Sequence, residues 1–587
     1  MMTTRFLRYA LPDAALAVTI AACAPRGPGA APPVPAPAAP PPGAASAGPA
    51  PIVRAPLPEA TPGLPPVPHV AGPLQIKVVY PTAGQLIQSK DSNFIFGSIG
   101  NGDAALTINS VPTPVWANGA FMGWLANPSP DLSRYDLVAT SGADTARLSL
   151  AVKLQPPPTV PPTPGDTLHI FSRAQYAALI GPATVSNDTD RVVTAYALTG
   201  GIQRWFLIPG TVVKVVSIKG PDAFVELDST QTVLIARTDL NMTTPTPGTP
   251  PLVTTSPSVT VSPSVATPAA SAPPVPMPVA SAPAHPASFA QPSRTASAFR
   301  VVSSPEWTDV VIPISERPAY LVDETMSSIT LTLYGTAGSG QLPITPPAPS
   351  YLTAVSSATA GPQMRYSISL RGPVYGYQPL WQDSVFTLRV RRPPAVDPVD
   401  PLRGLTIAID PGHPPVGATG PTGLWEPVAT LAVGLKVRDL LAARGVNVLM
   451  TRTDSLPVDL NLRPTMARRA NAHALVSIHL NAVPDGMNPF TSEGTTTYHY
   501  WIHSEPLASA THKALLARLS LPDRGVKREN FALVRPTWMP AILCEGAFII
   551  MPDQEAALRT PEYQERYARG IVEGLGNYFR SLGQAAH

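Results

Sequence analysis

Proline decides what this chain can fold into: there are 76 among 587 residues, and most are gathered into a few stretches. Proline has no backbone N–H and a fixed φ, so neither helices nor sheet interiors persist where it is dense. The stretches from Ala24 to Gly72 and from Thr243 to Ser297 are also nearly uncharged and rich in Ala, Ser and Thr, and they read as linkers. The rest must fold in pieces, and length alone suggests about three to five domains. Charged residues make up 13% of the chain, against about 25% in ordinary soluble domains, which agrees with a large linker share. A formal net charge of +3 is too small to argue for a nucleic-acid partner or an anionic membrane surface, and no nucleic acid is expected.

Residues 1–23 carry Arg5 and Arg8, then the apolar run Ala14 to Ala22, then Cys23. A basic start, a short apolar run and small residues before a cut describe a secretory signal. Ile20-Ala21-Ala22-Cys23 also resembles the lipobox of bacterial lipoproteins, in which the cysteine is lipidated. An ordinary signal peptide with a chance cysteine is the alternative. The expectation is an exported, periplasmic protein of the cell envelope, held by a lipid on Cys23 at the (outer) membrane. As an extended polyproline arm, 24–72 would reach roughly 150 Å. The only other cysteine is Cys544, so no disulfide framework is expected.

Three stretches alternate in the manner of short strands separated by Gly, Asn and Pro. Residues 73–154 suggest a β-sandwich, and Thr107-Ile-Asn-Ser-Val-Pro with Ala117-Asn-Gly-Ala-Phe resembles bacterial Ig-like modules. Residues 166–242 suggest a small β module similar to an SH3-type barrel, and residues 298–392 a second sandwich. Residues 403–582 differ. Expected strands at 405–409, 446–451, 474–479, 495–500, 531–535 and 541–545 alternate with helices near 426–444, 464–472, 505–519 and 562–581. That alternation implies an α/β domain with a mostly parallel sheet and helices on both faces. The whole is a multidomain chain: all-β (Ig-like and SH3-like) modules on Pro-rich linkers, followed by a C-terminal α/β domain.

In open α/β sheets, ligands sit outside the carboxyl ends of the strands. Three apolar runs here end on residues able to bind metal or move protons. Leu405-Thr-Ile-Ala-Ile-Asp-Pro-Gly-His413 ends on a histidine after a sharp turn, Leu475-Val-Ser-Ile-His479 on another, and Ile542-Leu-Cys-Glu545 on a carboxylate. Glu426 opens the helix between the first two, and Gly445 is placed to stop it. Two histidines and one carboxylate are a known ligand set for a catalytic zinc with one open position. His413, Glu426 and His479 supply that set, and Glu545 is placed to act as the proton-transfer group of a hydrolase.

The blocks Ile409-Asp-Pro-Gly-His413, Glu426, Arg452, Leu462-Arg463, Ala470-Asn471-Ala472, Ser477-Ile-His-Leu-Asn481, Asp523-Arg-Gly-Val-Lys527, Asn530-Phe-Ala-Leu-Val534 and Met539 to Glu545 with Phe548 resemble, in order, zinc-dependent N-acetylmuramoyl-L-alanine amidases of the Amidase_3 type. The resemblance covers the last third of the chain. It implies Zn2+ held at His413, Glu426 and His479, a catalytic Glu545, and hydrolysis of the amide between N-acetylmuramic acid and L-alanine in peptidoglycan. Pro414-Pro415 stands where the family usually has Gly-Gly, and Gly546-Ala547 replaces the usual apolar-Gly pair. Residues 482–493 are short where some relatives carry an insertion that plugs the site. That leads to a site that does not occlude itself, and no residue identifies an activating partner.

Two alternatives stay open at this level: a zinc amidase or peptidase acting on another wall amide, and a non-catalytic peptidoglycan-binding lipoprotein. Strand alternation turns Cys544 away from Glu545, so it reads as a packing thiol. His499 and His503 read as packing or surface residues, and His473 and His512 as ordinary helix residues.

Overall fold

The computed structural model describes residues 53–59, 61–154, 168–180, 192–199, 204–242 and 292–585. The signal segment with Cys23, the arm as far as Ile52 and the stretch 243–291 lie outside the described residues. Among the described residues, no helix is long and apolar enough to cross a membrane.

The C-terminal domain carries six strands: β1 (Thr406–Pro411), β2 (Asn447–Met450), β3 (Ala474–Asn481), β4 (Thr495–His499), β5 (Asp523–Arg528) and β6 (Ala541–Phe548). Its helices are α1 (Glu426–Ala442), α2 (Leu462–Arg469), α3 (Pro489–Ser492), α4 (Glu505–Leu519), α5 (Pro552–Leu558) and α6 (Pro561–Ala585). The sheet order is β2-β1-β3-β6-β4-β5. The first four strands run parallel, and β4 turns antiparallel against β6. β1, β3 and β6 are nearly continuous apolar runs because both of their faces are covered. On one face Ile407, Ile409, Val476, Ile478, Ile542 and Cys544 share a core with α1, α4 and α6. On the other, Ala408, Leu475 and Ala541 pack with Ala467 of α2, Leu533, Trp538 and Met539.

That second face is where the sequence reading needs correction. The strand expected at 531–535 is a series of turns, with the Val534 N–H donating to the Phe531 carbonyl. Leu533 and Val534 are buried by packing on the sheet, not by a ladder, and an apolar run alone cannot separate the two. β5 was not among the expected strands because Asp523-Arg-Gly-Val-Lys-Arg528 is charged, as suits an edge. His473 lies beyond α2, not in a helix, and its Nδ1 accepts from the Thr406 N–H at 2.9 Å.

Residues 77–154 form a three-stranded and a four-stranded antiparallel sheet around Ile95, Leu106, Ile108, Phe121 and Leu137. The described part of 168–242 is one antiparallel sheet of seven strands, from Trp205–Leu207 at one edge to Leu240–Asn241 at the other. Residues 300–391 form sheets of four and five strands closing on Val310, Ile312, Leu331, Tyr366, Phe386 and Leu388.

These modules lie against the α/β domain. Phe94, Phe96, Trp116 and Met122 of the first join its main core. Phe206 of the second meets Tyr500 and Trp501 edge-on, each with ring centroids 5.4 Å apart. Arg391 of the third, buried, donates to the carbonyls of Asn471, Ala472 and Trp538 and to Asn471 Oδ1. The linker expectations are corrected accordingly. Residues from Val53 onward follow the folded surface: Arg54 donates to the Gly102 carbonyl at 2.7 Å, Arg566 donates to the Gly63 carbonyl at 2.6 Å, and Leu64 and Val67 pack on the main core. An extended Pro-rich segment leaves its carbonyls unpaired and therefore available to arginines. Likewise Arg294–Ala296, placed in the second linker by composition, pairs in parallel with Thr336–Gly338.

Replacing Arg391 by Met should lower stability by about 2–4 kcal/mol, because the buried carbonyls of Ala472 and Trp538 and the more exposed one of Asn471 lose a charged donor. The denaturant midpoint measures this, and an unchanged midpoint would show that Arg391 does not tie the module to the domain.

Candidate metal centre

β1 ends beside β3, with Pro411 opposite Ile478 in register, and the Gly412 N–H donates to the Ile478 carbonyl at 2.8 Å. The chain then turns at His413, whose φ of +63° is uncommon for a residue with a side chain. A Cβ at position 412 would stand 2.5 Å from the His479 ring, so only glycine lets that ring lie over the turn.

A buried polar network holds the turn. The Asp410 carboxylate is fully buried; it accepts from Thr451 (2.6 Å) and Arg463 (2.9 Å) on one oxygen and from Ser477 (2.6 Å) on the other. Arg463 also donates to the carbonyls of Pro411 and His413. Arg452 donates to the carbonyls of Pro411, Gly412 and Pro427. Both guanidiniums are buried and act on the backbone around His413, which makes Arg463 a positioning residue. Sequence reasoning left its role open and did not single out Asp410, although a carboxylate inside an apolar strand is itself a signal.

Three side chains converge at the rim so formed. His413 Nε2 lies 3.2 Å from Glu426 Oε2, and His479 Nδ1 lies 3.3 Å from Glu426 Oε1. One ligand atom from each of the three falls within 4.8 Å of the others. Glu426 is held by the Ala418 N–H on Oε2 and the Leu480 N–H on Oε1, both at 3.0 Å. Burial works to raise the Glu426 pKa, but the two imidazoles outweigh it and hold the carboxyl well below the usual range.

Glu545 pairs with His479 in register across the parallel β3–β6 pair, so both side chains leave the same face one strand spacing (~4.8 Å) apart. Its Oε2 is buried without a hydrogen-bond partner. Burial first, and the Glu426 charge second, push its pKa well up. Tyr567 of α6 fixes this strand end: its hydroxyl accepts from the Gly546 N–H and donates to the Cys544 carbonyl, both at 2.9 Å. A Cβ on Gly546 would meet the Tyr567 ring, which accounts for glycine at that position. Cys544 itself is buried in the helix-covered core.

The other histidines weighed from the sequence lie elsewhere. His499 Nδ1 contacts the Trp501 carbonyl, His503 pairs with Glu324 of the third β module, and His512 meets Asp523.

The family model described as N-acetylmuramoyl-L-alanine amidase matches residues 407–577. The sporulation-specific N-acetylmuramoyl-L-alanine amidase of Bacillus subtilis is 35% identical over 182 residues, covering 30% of this chain and 68% of the relative. The germination-specific N-acetylmuramoyl-L-alanine amidase of the same organism is 32% identical over 200 residues, covering 31% of this chain and 83% of the relative. The chain belongs to the N-acetylmuramoyl-L-alanine amidase family. An uncharacterized B. subtilis protein, YqiI, is 32% identical over 207 residues, 34% of this chain and 98% of that protein. The amidase domain is thus the shared part, and these matches leave about two thirds of the chain uncovered.

Close to this amidase site, Gln554 accepts from the Phe548 N–H at 2.7 Å and donates to Glu493. Burial, then the Asp553 charge, raise the Glu493 pKa to about 7, against the opposing effect of the Gln554 bond. An acid raised on folding binds more protons in the folded state, so this group weakens the fold as pH climbs from about 4.5 to about 7. Glu493→Gln should therefore raise the unfolding temperature more at pH 8 than at pH 5. An equal gain at both values would contradict the raised pKa.

Proposed function

We propose that the C-terminal domain hydrolyses the amide between N-acetylmuramic acid and L-alanine in peptidoglycan, using a zinc ion held by His413, Glu426 and His479. The observation that carries this reading is the convergence of two imidazoles and one carboxylate at the carboxyl rim of the sheet, beside an unpartnered carboxyl oxygen. Tetrahedral zinc bonds of ~2.0–2.1 Å place neighbouring ligand atoms roughly 3.3 Å apart. His413 lies 3.2 Å from one Glu426 oxygen and His479 3.3 Å from the other, and one ligand atom from each residue lies within 4.8 Å of the others, so small side-chain adjustments bring the three onto one ion. Each carboxylate oxygen of Glu426 accepts one backbone N–H, which leaves a lone pair free on each.

When bound, zinc makes a water acidic near neutral pH and draws charge from the scissile carbonyl. The protein residues do the rest. Glu426 and its two N–H donors keep both imidazoles facing one point. Arg463 and Arg452 hold the His413 turn against movement. Glu545, on the face it shares with His479, takes the proton from the attacking water and returns it to the leaving nitrogen. Burial and the Glu426 charge shift its pKa upward, the direction a carboxyl that carries a proton between water and nitrogen needs. Glu545→Gln keeps the shape of the site and removes that proton carrier. It should retain zinc and lower release of stem peptides from purified sacculi by about 10²–10⁴-fold. Near-wild-type release would remove Glu545 from the reaction.

The finer placement of the protein belongs to the same proposal: export, and a lipid on Cys23 that holds it in the envelope with peptidoglycan within reach. The support is the basic and apolar start ending in Ile-Ala-Ala-Cys23. Cys23→Ser should move the protein from the membrane fraction to the soluble one; unchanged fractionation would count against the anchor.

A further inference from the structure

The loop that leaves β3 directly after Asn481 is gripped by the first β-sandwich at three points. The Asp485 carboxylate divides its oxygens: Oδ1 accepts from the Tyr80 hydroxyl, and Oδ2 accepts from the Gln88 N–H at 2.8 Å. The next residue, Gly486, donates its N–H to Oδ1 of the fully buried Asn93 at 3.1 Å. Gly486 has φ +81°, and a Cβ there would stand 3.0 Å from the Ser89 side chain, so loop and module meet about as closely as glycine allows. Beneath the contact, Tyr80 and Phe94 stack with centroids 4.7 Å apart, and Val483 of the loop and Phe490 of the short α3 within it pack on the core that includes Phe94 and Phe96.

The loop starts where the site ends. His479 and Leu480, whose N–H holds Glu426, are the third- and second-last residues of β3. Substrate approaches such a sheet from the carboxyl ends of its strands, so residues 482–494 border the approach. A loop of this length, free at its tip, samples many arrangements; a carboxylate with two donors from another module leaves it few. We propose that Asp485 and Tyr80 are positioning residues for the amidase: the first β-sandwich holds loop 482–494 in the arrangement that receives peptidoglycan. The proposal rests on the amidase reading above. It makes the sandwich part of the substrate groove's frame, whereas simple domain adhesion would touch stability alone.

The test uses the full chain with Asp485→Asn, Tyr80→Phe and both together, on soluble peptidoglycan fragments of defined length. Loss of the clamp should raise KM about tenfold with kcat within about twofold of wild type and zinc content unchanged. The double variant should be no worse than about twice either single one, because both remove the same contact. Hydrogen exchange at residues 482–493 should quicken in all three. Wild-type KM in the variants would overturn the proposal, and so would multiplicative losses. A fall in kcat alone, the mark of a smaller folded fraction, would overturn it as well. Tyr80→Phe keeps the ring stack and carries the test if Asp485→Asn fails to fold. Wild-type protein run alongside separates the two readings: if it releases no muramoyl product freed of peptide, the amidase reading fails, whereas wild-type-like variants strike only the clamp.

Discussion

A buried carboxylate with three donors holds this site together. Asp410 stands at the end of an apolar strand, where a charge without partners would cost several kcal/mol. Thr451, Arg463 and Ser477 supply its partners from three other elements of the α/β domain. Arg463 then spends its remaining N–H groups on the carbonyls around His413. One interaction therefore does two things: it makes the strand end tolerable to bury, and it locks the turn that aims an imidazole at Glu426. Removing Arg463 strands that charge in the interior, and removing either hydroxyl leaves the carboxylate one donor short.

The same economy explains why the β modules lie where they do. The side of the sheet away from α1, α4 and α6 has only the short α2 and a turn-rich segment to cover Ala408, Leu475 and Ala541. Trp307 of the third module packs there, and Arg391 of that module supplies donors to carbonyls at the sheet's margin. On the far side the first module adds four aromatic and methionine side chains to the main core. These modules complete surfaces that the α/β domain leaves apolar or unpaired.

Much of the α/β domain was readable because its signals are local. The helix expected to open at Glu426 and stop before Gly445 is α1 to within two residues, and three apolar runs ending on His413, His479 and Glu545 announce a site at one rim. What escaped was decided by distant partners. Leu533 and Val534 look like strand residues, yet the sheet side they cover has no free edge for them to pair with. β5 looks like a charged loop, yet β4 offers it a ladder. The Pro-rich segment before Gly72 looks like a tether, yet Arg566, some five hundred residues away in sequence, claims one of its carbonyls. Composition describes what a segment does alone, and each of these is settled by what it meets.

The central claim is that His413, Glu426 and His479 share one ion. Diffraction at the zinc absorption edge, from crystals of the full chain grown with zinc, tests it most directly. The account predicts a single anomalous peak ~2.0–2.2 Å from an imidazole nitrogen of each histidine and from a Glu426 oxygen, with the Glu545 carboxyl beyond that distance. A peak centred elsewhere, or zinc at full concentration with none among these three side chains, would contradict it.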